Sequence, residues 1–312
     1  MQQALKWMYY NHALIPTTAP HETVDEKPLH QKDFWKSVDS DGHPLLARWT
    51  TDYDCHEQTS WWHIVKDTPF DFSDIGYRYR KRVRKGIKNF EVRVIDPTEY
   101  AEALYQVEVE AASDYPANCR QKVDHDQFIK SLYERRNGIT FAAFSLEDHS
   151  LAGYLYDIVH ESYIEGLLLK AKPSQKKKEV SSALIYGELE YFAKALTEDM
   201  YIMAGERTVY HPTQHQEYLE KTFGFRKAYC RLHIQYRQGV KQMIDCLYPL
   251  RGLIRCLSRI KLFYQISAVL KMEEIARQSQ DPRPPRPMQG SKEAPYRTMK
   301  ESNVSCSHSV TA

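Results

Sequence analysis

Between Ile139 and Lys170 lie three apolar stretches separated by turns too short for anything but hairpins. They are Ile139–Ser145 (ITFAAFS), Leu151–Val159 (LAGYLYDIV) and Ser162–Lys170 (SYIEGLLLK), parted by polar turns that include EDH and HE. Runs of this length and spacing predict an antiparallel meander. A helix is expected next over Ser174–Leu196, then a strand over Met200–Ala204, a helix over Thr213–Lys221 and a strand over Arg226–Tyr236. Three strands, helix, strand, helix, strand is the order of a mixed α/β domain.

Upstream, Ser73–Lys88 reads as a helix. Ile75, Tyr79, Val83 and Ile87 recur every four residues, and Arg78, Arg80, Lys81, Arg82, Arg84 and Lys85 cover the remaining surface. Phe90–Ile95 (FEVRVI) alternates as a half-buried strand does. Pro97 opens a helix across Tyr100–Ala111, and another is expected over Asp126–Arg136. Residues 1–71 form an aromatic-rich extension packed on the main domain, with strands expected at His43–Thr50 and Ser60–Lys66 and irregular chain elsewhere. The main domain covers 72–238, and a helical segment broken at Pro249 covers 239–279. A Pro- and Ser-rich tail, expected to be disordered, covers 280–312.

A formal net charge of +2 on 312 residues argues for no particular partner, so any polyanion must be held by a local patch. No uninterrupted apolar run approaches the ~18 residues of a spanning helix. The first residues lack the basic start and apolar stretch of a secretory signal. Six scattered cysteines with no Cys-x-x-Cys pair predict reduced, mostly buried thiols in a cytoplasmic protein and no metal site.

The element order, together with ITFAAFSLEDHSLAGYLYDIV and the closing EYLEKTFGFRKAY, resembles the GNAT superfamily of acyltransferases, whose last helix commonly runs through a Gly-Phe turn into the final strand. Gly224-Phe225 stands in that place. The basic stretch YRYRKRVRKGIKNFEV is similar to the entry of FemAB-type domains, a GNAT branch that moves aminoacyl or acyl groups onto cell-envelope precursors. The overall look is also similar to bacterial proteins of surface-polysaccharide loci. The resemblance implies an α/β fold: a GNAT-like mixed, mainly antiparallel sheet flanked by helices, here with an N-terminal β-rich extension and C-terminal helices. Coenzyme A users of the superfamily resemble one another at Gln/Arg-x-x-Gly-x-Gly/Ala, where small residues let backbone N–H groups reach the pyrophosphate. In the corresponding KPSQKKKEVSSALI, Lys176 falls at the basic position, Glu179 at the first glycine and Ser181 at the second. Lys176, Lys177, Lys178 and Ser181 remain as candidate donor-binding residues, Lys by charge alone. Glu179 counts against ordinary acetyl-CoA binding. The tyrosine that many GNAT enzymes use as general acid is Glu220 here, and Tyr218, two residues upstream, is expected to point elsewhere on its helix.

The segment from Gly205 to Thr213 joins a strand to a helix, where mixed sheets tend to bind ligands. Within it His211 could serve as general base, Glu206 could orient the imidazole, and Arg207 could hold an anion bidentately. The bland alternative is a helix start built around Pro212 and Thr213. Arg78 and Arg82 on the basic helix are candidates for a phosphate-bearing substrate or tRNA, with Tyr77 and Tyr79 available for stacking; a solvated helix face is the plainer reading. Trp49 and Trp62 could form a sugar platform, or serve packing. Alternation places Trp61 and Trp62 on opposite sheet faces, so one at most belongs in the core. The C-terminal basic helix could touch the inner membrane surface from the cytoplasm, or dock across the domain.

The expectation is an acyl- or aminoacyltransferase acting on an amine or hydroxyl of a nucleotide- or lipid-linked sugar in bacterial surface-glycan biosynthesis. Its donor would be acyl-CoA or aminoacyl-tRNA. The alternative is a non-catalytic GNAT-like binding or scaffold protein of the same pathway.

Overall fold

The computed structural model describes residues 6–38, 42–113, 123–209, 214–257 and 260–280. Along the chain it forms β1 (Trp7–Tyr10), β2 (Ala13–Pro16), α1 (Lys32–Ser37), β3 (Leu46–Thr51), β4 (Trp61–Lys66), α2 (Arg80–Asn89) and β5 (Phe90–Ile95). There follow α3 (Ala101–Ser113), α4 (His125–Glu134), β6 (Ile139–Ser145), β7 (Leu151–Val159), β8 (Tyr163–Ala171), α5 (Val180–Phe192) and β9 (Tyr201–Glu206). The last elements are α6 (Gln214–Phe223), β10 (Arg226–Tyr236), α7 (Val240–Leu247), α8 (Arg251–Cys256) and α9 (Lys261–Gln280).

Two compact units share this chain, and neither is continuous in sequence. The described residues up to His63, those from Glu206 to 209 and those from Lys227 onward make the first unit. Ile64–Gly205 and residues 214–226 make the second.

In the first unit β1 and β2 pair antiparallel, β2 lies parallel to β3, and β3 pairs antiparallel with β10. Trp7, Leu14, Leu29, Phe34, Trp35, Ala47 and Trp49 form one buried cluster. Ala13, Leu46, Tyr236, Ile244, Ile254 and Leu270 form another. The second cluster joins the opening strands to the closing helices, so both ends of the chain share a core. The β1–β2 hairpin was not anticipated from sequence. Its two-residue turn is Asn11-His12, with φ of 47° and 63°. Two successive positive φ values match a right-twisted hairpin. Asn and His both enter that region more readily than most residues, but without glycine the usual Asn-Gly signal is missing.

In the second unit β5, β6, β7 and β8 follow one another antiparallel, and β9 joins parallel to β8. The meander and the mixed sheet are as the sequence predicts. Alternation along β6 separates the two faces. Ala142 and Phe144 pack with Leu104, Val107, Phe128 and Leu132 of α3 and α4. Phe141 meets Tyr191 and Phe192 of α5.

Two expected helices start later than their patterns suggest. The segment from Phe72 to Asp74 is a 3-10 turn held by a capping box between Asp71 and Asp74. Ile75 then takes an extended conformation, and α2 begins at Arg80. A Cβ on Gly76 would lie 2.5 Å from the Lys221 carbonyl oxygen, so chain crowding breaks the helix there. Arg80 donates to the carbonyls of Ile75 and Ser73 that the break leaves free. Of the apolar stripe, Ile75 and Val83 are buried but Ile87 is exposed; Gly86 lies in its place against α5. Likewise Pro173–Lys178 is a 3-10 turn ahead of α5. Among the described cysteines Cys230 is buried, whereas Cys246 and Cys256 are exposed. The inward residues of α7 and α8 are Ile244 and Ile254. A position two residues on points roughly 200° away, which corrects the expectation of mostly buried thiols.

Candidate functional site

The parallel pair β8–β9 is registered at Tyr163↔Tyr201, Ile164↔Ile202 and Glu165↔Met203, and no farther. Beyond those pairs β8 runs on to Ala171 and β9 to Glu206, with Leu167–Lys170 and Met203–Gly205 partly exposed. Where parallel strands part, backbone N–H and C=O groups are released at the C-terminal edge of a sheet, a usual place for ligands. Gly166 sits at the parting. A Cβ there would lie 3.4 Å from the Met203 carbonyl oxygen and 3.8 Å from a carboxyl oxygen of Asp157.

Past the end of β8, the first turn of α5 is where the resemblance implies a pyrophosphate cradle. Glu179 immediately precedes this helix with φ 68°, ψ 38°. Left-handed backbone at the position of the family's glycine retains the turn, at a strain that glycine would not carry. The carboxylate is gripped bidentately by Arg82 at 3.0 and 3.1 Å and accepts from Ser182 at 3.0 Å. Ser182 also shares a hydrogen bond of 2.7 Å with the Tyr218 hydroxyl. The Arg82 guanidinium lies 5.4 Å from the centre of that ring. Tyr218 therefore faces this cluster rather than pointing elsewhere, because α6 brings it against the first turn of α5. Burial pushes its hydroxyl pKa up, so it stays a neutral donor.

The cradle is also covered from outside. A Cβ on Gly86 of α2 would lie 2.7 Å from the Glu179 carbonyl and 3.0 Å from the Ala183 nitrogen. Lys85 donates to the Lys177 carbonyl at 2.7 Å, and Lys178 pairs with Glu147 at 2.7 Å. A pyrophosphate needs close backbone approach and no competing carboxylate, and here the Glu179 carboxylate, held by Arg82 and Ser182, fills the turn. The residues present do not fit coenzyme A bound in the ordinary way. Lys176 and Lys177 are exposed, Ser181 is half-buried, and Arg78, in the turn before α2, and Lys81, on that helix, stand exposed.

Two buried acids lie behind the sheet, and the sequence reading missed them. Asp157 on β7 is fully buried, and neither carboxyl oxygen has a hydrogen-bond partner among the described residues. Burial raises its pKa to about 8. Glu188 on α5 is raised by burial and by the charge of Asp157. A carboxylate in the middle of the apolar YLYDIV, and another in ALIYGELEYF, was the available signal.

Within the first unit, Glu206 is ion-paired with Arg48 and accepts from the Trp61 indole at 3.2 Å. Burial alone would raise its pKa, but the Arg48 guanidinium, helped by the hydrogen bonds from Arg48 and Trp61, outweighs this and holds it below the usual range. His63 is buried and held neutral by desolvation. Arg207 donates to the Ser60 carbonyl, and its backbone N–H donates to Trp62 at 2.9 Å. Trp61 is 1% exposed and Trp62 half-buried, as alternation requires. The Trp62 ring is met by Arg207 at 4.7 Å and Lys227 at 4.8 Å. Trp49 is 7% exposed, stacks on His233 and donates to Glu26 at 2.9 Å. A ring packed this way has no face to offer a sugar. His211 lies outside the described residues.

No protein-family model and no curated protein sequence matches the chain. Among solved structures it is similar to L-PGS from Bacillus licheniformis, at 13% identity over 75% of this chain and 80% of that one, with a TM-score of 0.44. A C-terminal domain named for lysylphosphatidylglycerol synthetase, from Agrobacterium fabrum, gives 12% identity over 77% and 82% with a TM-score of 0.45. A GCN5-related N-acetyltransferase-like protein from Streptococcus suis gives 11% over 66% and 69% with a TM-score of 0.33. Likenesses this distant assign neither a substrate nor the role of any residue here.

Proposed function

We propose that the chain is a GNAT-type acyl- or aminoacyltransferase whose donor is not an ordinary coenzyme A ester. The observation that carries this reading is the parting of β8 from β9 after three residue pairs, next in the chain to the first turn of α5. An acyl carbonyl lodged between the strands would have released backbone N–H groups within reach of its oxygen. Those groups stabilise the oxyanion formed when an acceptor amine or hydroxyl attacks the carbonyl carbon. The tetrahedral intermediate collapses by expelling the donor's leaving group, and the acceptor's proton passes to a base, for which His211 is our candidate. Holding donor and acceptor together supplies much of the rate, so no covalent enzyme intermediate is required.

Because Arg82 and Glu179 close the pyrophosphate turn on each other, the donor's phosphates belong on the exposed basic surface of Arg78, Lys81, Lys176 and Lys177. An aminoacyl-tRNA suits such a surface better than a nucleotide buried in a cradle. The acceptor we favour is an amine or hydroxyl of a nucleotide- or lipid-linked sugar in bacterial surface-glycan assembly.

Native mass spectrometry of the purified protein tests the donor. Bound tRNA supports the aminoacyl reading, and a bound coenzyme A thioester overturns the exclusion of ordinary donors. The closed turn also favours a second reading, a binding protein that has lost the chemistry. Calorimetry with Glu179→Gly separates the two ideas of that turn. If it is a closed remnant of a phosphate site, the variant frees Arg82, removes the competing charge and should bind coenzyme A at least tenfold more tightly than the parent. An unchanged isotherm would mean that the turn holds no phosphate in either form.

A further inference from the structure

From Cys246 to Met272 the chain carries five basic residues, Arg251, Arg255, Arg259, Lys261 and Lys271, and no carboxylate. The same stretch leaves its large aliphatics in the open. Leu250, Leu253, Leu257, Ile260 and Leu262 are between 48% and 67% exposed. Ile254 fixes the orientation of α8, packed inward against Tyr236, Ile244 and Leu270. Leu250, Leu253 and Leu257 follow at spacings of three and four residues, which puts them on one side of the helix. The Leu257 amide donates to the Leu253 carbonyl and the Ile260 amide to the Leu257 carbonyl.

The charges around this edge sharpen the picture. Acids on the flanking helices are already neutralised: Asp245 by Lys241 and Arg277, Glu273 by Arg277, and Glu274 by Lys271. Arg255 is exposed among the leucines. Arg251 is exposed too, its guanidinium 4.4 Å from the Tyr248 ring, 3.1 Å from the Tyr248 carbonyl and 3.9 Å from a Glu274 oxygen, so Arg255 is the freer of the two charges. An aliphatic cluster with basic residues and no free carboxylate is matched by an apolar phase with a negative face. Nucleic acid would want aromatic platforms rather than leucines. A twofold contact of the patch with itself would set Arg255 against its own copy.

We infer that the exposed edge formed by Leu250, Leu253, Leu257, Ile260 and Leu262 is a docking surface for an anionic lipid bilayer, with Leu253, Leu257 and Ile260 entering the headgroup boundary and Arg255, with Arg251 beside it, meeting lipid phosphates. Among the described residues no helix is long and apolar enough to cross a membrane, so the contact is interfacial. Burial of the leucines and attraction of the arginines add together, as in other interfacial helices. The inference stands apart from the transferase reading, since vesicle binding needs no donor, acceptor or turnover.

Co-sedimentation of the full chain with vesicles of phosphatidylcholine and phosphatidylglycerol, 70:30 by mole, tests it against vesicles of phosphatidylcholine alone. The expected result is at least tenfold stronger partitioning onto the anionic vesicles, weakening as salt is raised. Leu253→Ser combined with Leu257→Ser, and separately Arg255→Glu, should each weaken that partitioning about tenfold with an unchanged melting temperature, because these side chains are outside the core. Equal binding to both vesicle types, or variants that bind like the parent, would overturn the inference. So would a dimer seen by light scattering that Leu253→Ser dissolves, since the patch would then belong to a second copy.

Discussion

Replacing Asp157 by Asn is expected to stabilise the protein at pH 8 and to destabilise it by about 1–2 kcal/mol at pH 4. Asp157 is fully buried on β7, its oxygens without partners among the described residues, and its pKa is raised to about 8. In the unfolded chain the same group titrates near 3.9. Between those values the folded protein must keep a proton that the unfolded chain has released. Its stability therefore falls as pH rises through that window, and the loss is complete once the folded pKa is passed. At pH 7 the difference is roughly three units, on the order of 4 kcal/mol. Asparagine needs no proton, but it leaves an amide to satisfy, which returns about 1–3 kcal/mol. A net gain of about 1–3 kcal/mol should appear as a melting temperature several degrees higher at pH 8 and a flatter pH profile. Glu188→Gln should act in the same direction, and the double variant should gain less than the sum, because each acid raises the other. A pH profile identical to the parent's would show that Asp157 is ionised in the fold and has found a counter-charge.

Much of the second unit was legible in the sequence because its strands are buried by periodic patterns. The meander over Ile139–Lys170 and, in the first unit, the strand over Arg226–Tyr236 came out within a residue of their ends. Periodicity reports which face is buried, and so it located elements well. It did not report what breaks them. The helix start at Arg80 depends on Gly76 lying against the Lys221 carbonyl, a contact made 145 positions away along the chain. The β1–β2 hairpin was hidden because His12 occupies a turn position normally marked by glycine. At the candidate site, spacing put Glu179 next to the central helix, and the structure has it immediately before α5. Its capture by Arg82 depends on α2 crossing the start of α5 at Gly86, which neither segment declares alone. Tyr218 was misplaced for the same reason: helical phase gives a direction around one axis and says nothing of what stands there.

His211→Ala and Glu206→Gln should fail in different ways. Glu206 anchors Arg48 and the Trp61 indole inside the first unit. Gln keeps the shape but removes the charge, leaving the Arg48 guanidinium without its counter-ion. Breaking an exposed pair costs at most about 1 kcal/mol and breaking a buried one about 3–5. Arg48 and Glu206 are 16% and 30% exposed at their side chains. About 2 kcal/mol is therefore expected, read as a melting temperature lower by a few degrees. Arg48→Met in the Glu206→Gln background should recover part of it, because the stranded charge is gone. His211, which follows β9 in the chain, is outside every apolar pattern in the sequence. Its replacement should leave the melting temperature unchanged while cutting the transfer rate by about 10²–10⁴, the usual loss when a general base is removed. The rate should then lose its dependence on a group titrating near 6.5. If Glu206→Gln instead slows transfer while melting like the parent, the carboxylate takes part in the chemistry and its ion pair is incidental. If His211→Ala melts early and loses activity in proportion, the imidazole serves the fold, and the base must be sought among the groups around the parting of β8 and β9.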